Sequence, residues 1–342
     1  MQQSLGIGML GLGAVGVNHA RALRELSDQV RLVAFSGGNP ERAAEAGWPE
    51  AQQVGHEELI TTPGVDVVAI CSPSELHAEQ AIAALEAGKD VLVEKPIALT
   101  VADAERIVET ARARGRTVSA VAQRRLEPEY AAVHRLMQAG DLGQLRLATT
   151  HVHWWRDDDY YAAAGWRTQM AAGGGSLMNQ GVHNADLLTW LGGPVTEVTA
   201  QYGTLGHQMD AEDTTVATVR FASGALGLIS TSTATPPGSD ATVTLHFDRG
   251  TIELGQGEII RWDIDAPQPD LSAGGGPASG AADPAAIGIA GHLAQWQDLV
   301  DAIRQGRAPV IDARAGANVV RLICAIYKAA ETGQRVRPEE LS

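Results

Sequence analysis

The sequence has few cysteines and no long apolar run. Cys71 and Cys324 are the two cysteines, and neither lies in a Cys-x-x-Cys pair, so we expect reduced thiols and a cytoplasmic protein. The first residues lack the basic stretch of a signal peptide, and no segment is apolar over the length of a membrane span. The sequence therefore predicts neither an exported protein nor a membrane protein.

Basic residues are also scarce. The 342 residues include 26 Lys and Arg against 41 Asp and Glu, which gives a formal net charge of −15. A nucleic acid or an anionic membrane would be repelled by such a protein, so we expect neither as a partner. The chain is long enough for two domains, and 44% apolar residues with 38 glycines favour a globular α/β protein.

A glycine-rich turn follows the first predicted strand. The segment from Leu5 to Leu10 is short and apolar, and a helical pattern begins within the motif Gly11-Leu12-Gly13-Ala14-Val15-Gly16. The first glycine permits the turn, the second lets the backbone approach a pyrophosphate, and the third lets the helix pack on the strand. The motif therefore predicts a dinucleotide site that includes Gly11, Gly13, Ala14, Val15 and Gly16.

The end of the second predicted strand bears on which dinucleotide binds. The strand from Val30 to Phe35 ends at Ser36-Gly37-Gly38, where an NAD-preferring fold places an acidic residue. Without that carboxylate a 2′-phosphate is not repelled, Ser36 can donate a hydrogen bond to it, and Arg42 is the nearest cation. We expect NADP or NAD with NADP favoured, bound near Ser36, Gly37 and Arg42. The alternative is that these glycines only form a turn and both cofactors bind.

Predicted strands and helices alternate up to Val121, a pattern typical of a parallel, doubly wound sheet. Two strands are followed at once by polar motifs, Cys71-Ser72-Pro73 and Glu94-Lys95-Pro96. Because strand carboxyl ends present ligands in such a sheet, Lys95 is a candidate proton donor in the cofactor crevice. The alternative for Lys95 is a solvated surface charge.

A second glycine run, Gly173-Gly174-Gly175, precedes an apolar helical pattern that reaches Leu191. Within it Asn179, His183 and Asp186 are spaced four and three residues apart, so one face of a single helix would carry an amide, an imidazole and a carboxylate. This face is a candidate active surface. The alternative is a buried histidine held by a helical carboxylate.

Together these motifs resemble the Gfo/Idh/MocA oxidoreductase family. The resemblance is carried by Gly11-x-Gly13-x-x-Gly16-x-x-His19, Cys71-Ser72-Pro73, His77, Glu94-Lys95-Pro96 and the segment from Gly173 through His183 to Asp186. It spans nearly the whole chain. It implies a Rossmann domain over residues 1–122 and, over residues 123–342, an α/β domain with an open, mainly antiparallel sheet for substrate binding and oligomerisation.

The resemblance also implies an activity. Family members transfer a hydride between NAD(P) and a hydroxyl or carbonyl carbon of a sugar, cyclitol or similar polyol. The lysine that matches Lys95 contacts substrate near the nicotinamide, and the histidine that matches His183 is a frequent acid/base. We assign Asp186 to orienting that imidazole. The remaining cofactor-site residues implied by the motifs are Cys71, Ser72, Pro73, His77 and Glu94.

Asn179 departs from the family pattern, because many members have an aspartate there. An amide cannot exchange a proton as a carboxylate can, so we assign Asn179 to orienting the substrate and leave proton transfer to His183. The dipeptide Asn179-Gln180 also resembles the branch that acts on nucleotide-linked amino sugars.

Aromatic and basic residues upstream of the second glycine run are candidates for substrate contact. Tyr161, Trp166 and Arg167 would suit a sugar ring or an attached phosphate, with core packing as the alternative. Arg125, at the crossing between the predicted domains, either reaches substrate or pairs with an acidic group. His151 and His153 share one side of a predicted strand, but no third ligand with suitable spacing follows, so we expect no metal.

Strict alternation around Ala217 to Phe221 and Val243 to Phe247 predicts half-buried antiparallel strands. The open sheet that they form needs a cover, and we expect a homodimer or homotetramer. Residues 266–283 predict a loop, followed by two helices that pack on the sheet or on the first domain.

The leading hypothesis is an NAD(P)-dependent dehydrogenase or reductase acting on a sugar, cyclitol or nucleotide sugar. One alternative is a non-catalytic NAD(P)-sensing regulatory protein, although Lys95 and His183 would serve no purpose there. A second is a hydrolase or epimerase of the same fold that cycles a tightly held cofactor.

Overall fold

The computed structural model describes residues 4–271 and 288–342. Most of the loop predicted over 266–283 therefore lies outside the described residues. The chain forms two compact units: Met1–Gln123 with Gly288–Val320, and Arg124–Ile287 with Arg321–Ser342. In the part of the chain that the structure describes, no helix combines the length and the apolar character needed to cross a membrane.

The first unit contains a six-stranded sheet in which every pairing is parallel, in the order β3-β2-β1-β4-β5-β6. Its strands are β1 Leu5–Leu10, β2 Val30–Ser36, β3 Gln52–Gln53, β4 Val67–Ile70, β5 Asp90–Val93 and β6 Val118–Ala120. Its helices are α1 Ala14–Glu25, α2 Pro40–Glu45, α3 His56–Thr61, α4 His77–Glu86, α5 Val101–Arg114 and, from the later part of the chain, α9 Ala290–Gln305. The predicted Rossmann fold is confirmed.

Local sequence accounts for these elements. The strands are continuously apolar because the core lies on both of their faces, and Ile7, Met9 and Phe35 are fully buried. Thr100 caps α5 by accepting from the backbone N–H of Asp103. Core residues of α9, among them Trp296, join the cluster formed around β1 and β2, so α9 completes the layer on that sheet.

The second unit contains a seven-stranded sheet in the order β13-β12-β11-β7-β10-β9-β8. The strands are β7 Leu145–His153, β8 Val195–Gly203, β9 Thr214–Phe221, β10 Leu226–Ser232, β11 Thr242–Phe247, β12 Gly250–Leu254 and β13 Ile259–Ile264. Only the pair β7 and β10 is parallel among the described strands of this sheet. The prediction of a second domain with a mainly antiparallel sheet is confirmed.

The remaining α-helices among the described residues are α6 Pro128–Ala139, α7 Asp158–Ala162, α8 Val182–Gly192 and α10 Ala313–Thr332. The residues of α10 are divided between the two units after Val320. Helix α8 packs on β7 and β11, with Leu187 and Leu188 fully buried. Some apolar side chains of this sheet are exposed on its other face, and Leu226 on β10 is 48% exposed. Along β9, partly or fully exposed side chains alternate with buried ones, as the sequence predicts.

The prediction of one α-helix from the glycine run to Leu191 is wrong in its first part. Residues Ser176–Gly181 form a π-helical turn, and the α-helix begins only at Val182. The spacing of four residues between Asn179 and His183 therefore does not place them on one face by α-helical geometry. Short π-helical segments inside or before α-helices occur often at functional sites.

Candidate active site

The glycine turn between β1 and α1 has the shape that a pyrophosphate requires. Gly11 has a φ of 96°, and a Cβ there would lie 2.5 Å from the carbonyl oxygen of Cys71. A Cβ on Gly13 would meet no atom within 4 Å, so the backbone is open to a close-approaching ligand. Helix α1 has neither a side-chain cap nor an acidic residue in its first turn, which leaves its N-terminal N–H groups available to an anion.

The third glycine allows close packing, and the two residues before it are accessible to a ligand. A Cβ on Gly16 would lie 2.0 Å from the carbonyl oxygen of Gly11, so only glycine allows α1 to start this close to the turn. Ala14 and Val15 are exposed at the start of α1. The predicted nucleotide residues of this segment therefore fit a dinucleotide phosphate.

Ser36 and Gly37 border the same turn. Their carbonyl oxygens accept from the N–H groups of Gly11 and Leu12 at 2.7 and 2.9 Å. The exposed side chain of Arg42 donates to the carbonyl oxygen of Leu12 at 3.3 Å. A hydroxyl and a guanidinium thus lie at the end of β2, the edge where a dinucleotide presents its ribose.

The polar motif after β4 is tied to the motif after β5 by His77. This histidine is buried, with Nε2 2.8 Å from the carbonyl oxygen of Ser72 and Nδ1 2.7 Å from that of Pro96. Pro73 is exposed. His77 therefore holds together the two turns in which the sequence places candidate cofactor-site residues.

Glu94 and Lys95 follow β5, the neighbour of β4 in the sheet. Lys95 is half-buried and Glu94 is buried. One carboxylate oxygen of Glu94, Oε2, accepts from the backbone N–H of Lys95 at 3.0 Å. Burial acts to raise the pKa of Glu94, but the hydrogen bond from His19 and the nearby ammonium group of Lys95 hold the pKa well below the ordinary value. The backbone of Lys95 is thus held by an ionised carboxylate.

Three buried side chains adjoin Glu94. His19 Nε2 lies 3.0 Å from Glu94 Oε1, and the indole N–H of Trp296 donates to His19 Nδ1 at 3.0 Å. His292 Nε2 lies 4.0 Å from Glu94 Oε1. Burial lowers the pKa of His292 to about 4, and the neighbouring His19 adds to the effect, so the His292 imidazole is neutral at pH 7. Among the described residues, His19, Glu94 and His292 form the one group of metal-ligand type.

In the second unit, a buried glutamate stabilises the π-helical turn. The Glu212 carboxylate accepts from Ser176 Oγ at 2.5 Å, from the N–H of Leu177 at 2.8 Å and from the Tyr327 hydroxyl at 3.0 Å. The Tyr327 hydroxyl in turn accepts from the N–H of Met178 at 3.2 Å. These partners satisfy the N–H groups at the start of the turn, which have no partner within it.

Asn179 and Gln180 lie in that turn, and His183 lies in the first turn of α8. All three are half-buried. The side-chain amides of Asn179 and Gln180 both donate to the Tyr160 hydroxyl, at 3.4 and 2.5 Å. Tyr160, and not Tyr161, is therefore the tyrosine joined to the candidate active surface.

Tyr161 lies inside the unit. Its hydroxyl is 2.7 Å from Thr233 Oγ1, and burial raises its pKa to about 12. Its neighbour Tyr160 stacks with two arginines: the Arg167 guanidinium is 4.2 Å from the ring centroid and that of Arg156 is 5.4 Å away. Arg167 also lies 5.7 Å from the Trp166 ring. The Nε of Arg167 is buried without a hydrogen-bond partner in the described parts of the chain.

Arg125 and Asp186 form a buried ion pair. Both oxygens of the Asp186 carboxylate accept from Arg125, at 2.5 and 2.7 Å. Burial raises the pKa of Asp186 and the guanidinium opposes this effect; because a guanidinium is always charged, we take the carboxylate in the pair to be ionised. Of the two alternatives for Arg125, the structure shows pairing with an acidic group, Asp186.

His151 and His153 stack on one side of β7, with ring centroids 5.0 Å apart. His153 Nε2 lies 2.8 Å from Ser230 Oγ. Among the described residues, no carboxylate or cysteine joins these two histidines in a group that could hold a metal ion.

The sequence interpretation missed Trp296 and Glu212, did not place His292 beside Glu94, and chose Tyr161 where the contacts single out Tyr160. Trp296, His292 and Glu212 lie far along the chain from the residues that they contact, and no local motif marks them. For Tyr160 a signal was present, because a tyrosine pair adjoins the candidate surface, but the pattern does not tell which of the two is buried.

Comparison with known proteins agrees with this geometry. Residues 5–121 match the model of an oxidoreductase family with an NAD-binding Rossmann fold, and residues 130–253 match the GFO/IDH/MocA C-terminal domain. The chain belongs to the Gfo/Idh/MocA oxidoreductase family. The resemblance read from the motifs is confirmed.

Relatives within the family are dehydrogenases. Myo-inositol 2-dehydrogenase of Thermotoga maritima is 30% identical over 259 residues, which cover 72% of this chain and 74% of that protein. The crystal structure of the WlbA dehydrogenase from Bordetella pertussis in complex with NADH and UDP-GlcNAcA has a TM-score of 0.86 and 31% identity, and covers 98% of this chain and 99% of that one. Levoglucosan dehydrogenase of Pseudarthrobacter phenanthrenivorans is 28% identical and covers 73% of each chain.

The protein is thus an NAD(P)-dependent oxidoreductase that acts on CH–OH groups of sugar-like substrates. These relatives do not support the alternative of a non-catalytic regulatory protein.

Proposed function

We propose that Lys95 and His183 are the catalytic residues of this oxidoreductase. When bound, the nicotinamide gives or takes the hydride. His183 removes the proton of the substrate hydroxyl during oxidation and returns it during reduction, because an imidazole accepts and releases protons near neutral pH. The ammonium group of Lys95 stabilises the substrate oxygen as negative charge develops.

The observation that carries this proposal is the position of Lys95. It follows β5 at the carboxyl edge of the sheet, where the glycine turn after β1 also lies, and its backbone is held by the ionised Glu94. A lysine fixed in this way differs from a solvated surface charge. Asn179 is proposed to orient the substrate. Both oxygens of Asp186 accept from Arg125, so the proposed effect of Asp186 on the His183 imidazole is indirect, through the position of helix α8.

The proposed substrate carries an anionic group. Arg167 stacks between Tyr160 and Trp166 with its buried Nε unpaired in the described parts of the chain, an arrangement suited to a carboxylate or phosphate next to a sugar ring. The Tyr160 ring stacks with Arg167, and its hydroxyl accepts from the side-chain amides of Asn179 and Gln180. The WlbA relative was solved with UDP-GlcNAcA, and we propose a nucleotide-linked or acidic sugar in preference to a neutral cyclitol.

A substrate panel tests the function. Purified protein with NAD or NADP is mixed with cyclitols, neutral sugars, sugar acids and nucleotide sugars, while nicotinamide absorbance and product mass are followed. We expect an absorbance change with a product two hydrogens lighter, strongest for the anionic sugars. A hydrolysed or epimerised product without net absorbance change would instead favour the redox-cycling alternative.

The proposed cofactor preference is NADP over NAD. Ser36 and Arg42 offer a hydroxyl and a cation at the end of β2, and residues 36–38 include no carboxylate to repel a 2′-phosphate. Fluorescence titration of both cofactors tests this preference. A clear preference for NAD, the cofactor named with the WlbA relative, would overturn it.

We also propose that the protein self-associates through the exposed face of the second sheet and works in the cytoplasm. Leu147 and Leu226 are paired neighbours on β7 and β10 and both are exposed. Covering such a patch favours a dimer or tetramer. Sedimentation of the wild type against Leu226→Lys should show an assembly that the charge weakens; two monomeric proteins would refute the proposed interface. The free Cys71 and Cys324 suit a reducing compartment.

A further inference from the structure

A buried hydrogen-bond chain ends at the backbone of Lys95. It runs from the indole of Trp296 to His19, from His19 to Glu94, and from Glu94 to the N–H of Lys95, with each heavy-atom distance 3.0 Å. Trp296 is fully buried and His19 is 1% exposed. All four residues belong to the first unit.

The donors and acceptors of this chain can be assigned without ambiguity. An indole N–H only donates, so His19 Nδ1 must accept from Trp296. With Nδ1 as an acceptor, the ring proton of His19 sits on Nε2 and is donated to Glu94 Oε1, which leaves Oε2 for Lys95. Trp296 therefore selects the His19 tautomer that holds Glu94 in place.

The same assignment bears on metal binding by His19, Glu94 and His292. To ligate through Nε2, His19 would have to carry its proton on Nδ1, where it would face the proton of the indole. Two donors would then point at each other inside the core, which is unfavourable. The geometry around Trp296 thus favours the hydrogen-bond chain over a metal site.

The segment after Lys95 is fixed as well. His77 Nδ1 lies 2.7 Å from the carbonyl oxygen of Pro96, so the turn is held on both sides of the lysine. His292 packs edge-on against His19, with ring centroids 4.6 Å apart, and its buried Nδ1 has no hydrogen-bond partner among residues 4–271 and 288–342. His292 therefore packs beside His19 and Glu94 but is not a member of the hydrogen-bond chain.

We propose that Trp296 and His19 are positioning residues for catalysis: through Glu94 they fix the backbone of Lys95 and thereby the place of its ammonium group. This inference rests on the proposed catalytic role of Lys95. The two ends of the hydrogen-bond chain are far apart in sequence, because Trp296 lies in α9 and Lys95 follows β5.

The chain itself can be tested without any substrate. In protein labelled with 15N-histidine, the His19 signals, assigned by their loss in His19→Gln, should show a protonated Nε2 and an unprotonated Nδ1. Trp296→Phe removes the donor, so we expect His19 to show a mixture of tautomers. An Nδ1-protonated ring in the wild type would overturn the proposal, as would stoichiometric zinc that is lost in His292→Ala.

Kinetics test the link to Lys95. Trp296→Phe should lower kcat about five- to tenfold, the effect of about one hydrogen bond, with the Kd of the cofactor nearly unchanged. Trp48→Phe is the matched control, because the buried Trp48 indole donates its one N–H at 2.8 Å to the backbone carbonyl of Ala20 in the same unit and not to a side chain of the hydrogen-bond chain; it should leave kcat within about twofold.

A double-mutant cycle separates positioning from general structure. In a Lys95→Met background, Trp296→Phe should change kcat less than about twofold, since the group that it positions is gone. His19→Gln, which keeps a donor and an acceptor, should retain more activity than His19→Leu. Equal losses from Trp296→Phe in both backgrounds would overturn the proposal, whereas near-normal turnover by Lys95→Met would refute the proposed function and leave the tautomer result standing.

Discussion

Two buried glutamates, one in each unit, hold the backbone beside a proposed catalytic side chain. Glu94 accepts from the N–H of Lys95. Glu212 accepts from the N–H of Leu177 at the start of the turn that leads to His183. In both places a carboxylate supplies a partner to a backbone N–H at the end of a regular element.

The two carboxylates differ in what surrounds them. Imidazole and ammonium groups lie around Glu94, and they outweigh burial so that its pKa is lowered. The donors to Glu212 are hydroxyls and a backbone N–H, which offset burial only in part, so its pKa is raised. Charged neighbours therefore make Glu94 a stable anion next to Lys95, whereas Glu212 serves as a multiple acceptor that shapes the chain. We expect substitutions at Glu94 to affect catalysis and those at Glu212 to affect folding.

The largest effect should come from removing the side chain that Glu94 positions. Lys95→Ala should lower kcat by about a thousandfold, as loss of a group that stabilises charge in the transition state does, while the Kd of the cofactor stays close to that of the wild type. Steady-state kinetics and fluorescence titration measure the two quantities. Lys89→Ala is the control, because Lys89 donates to the carbonyl of Val65 in the same unit; a comparable loss there would contradict a special role for Lys95.

Exchanging each glutamate for its amide tests the contrast directly. Glu94→Gln should lower kcat about ten- to a hundredfold, because the amide weakens the hold on the lysine and removes the anion beside it. Glu212→Gln should instead lower the free energy of unfolding by about 1–3 kcal/mol, since the amide nitrogen cannot accept from its donors. Kinetics and chemical denaturation are compared for both variants. The reverse pattern, with folding lost at Glu94 and kcat at Glu212, would break the comparison.

Sequence reasoning found the first of these two sites and not the second. Glu94 and Lys95 are adjacent in one motif at a strand end, and His19 lies in the motif with the glycines, so their shared location followed from the parallel sheet. Glu212 is 35 positions from Leu177, and its partner Tyr327 is farther still, so no periodicity reveals that they cap a turn. The π-helical turn was missed as well, because an apolar spacing of three and four residues predicts an α-helix from its first residue.

Substitution of Arg167 tests the proposed contact between the second unit and an anionic group of the substrate. Arg167→Met keeps the stacking bulk and removes the charge. KM for an acidic or nucleotide-linked sugar should rise about ten- to a hundredfold, the worth of a charged hydrogen bond, and KM for a neutral sugar should change little. An equal rise for both substrates would assign Arg167 to packing and not to anion binding.

The smallest effect concerns acid sensitivity around Glu94. Because the pKa of His292 falls from 6.5 to about 4 on folding, the unfolded chain binds a proton that the folded chain does not between these values. Stability is therefore complete above pH 6.5 and falls as the pH decreases through this window, by about 2 kcal/mol at about pH 5. Denaturation of His292→Leu should show a flatter dependence over this range. An unchanged slope would mean that His292 is protonated in the folded protein.

The most direct test of hydride transfer uses a substrate that carries deuterium on the carbon bearing the reacting hydroxyl. After turnover with oxidised cofactor, the reduced nicotinamide is isolated and weighed by mass spectrometry. We predict deuterium in every reduced nicotinamide formed by the wild type, and almost none formed at all by Lys95→Ala or His183→Ala. Product formation with unlabelled nicotinamide, or equal labelling by the three proteins, would contradict the assignment.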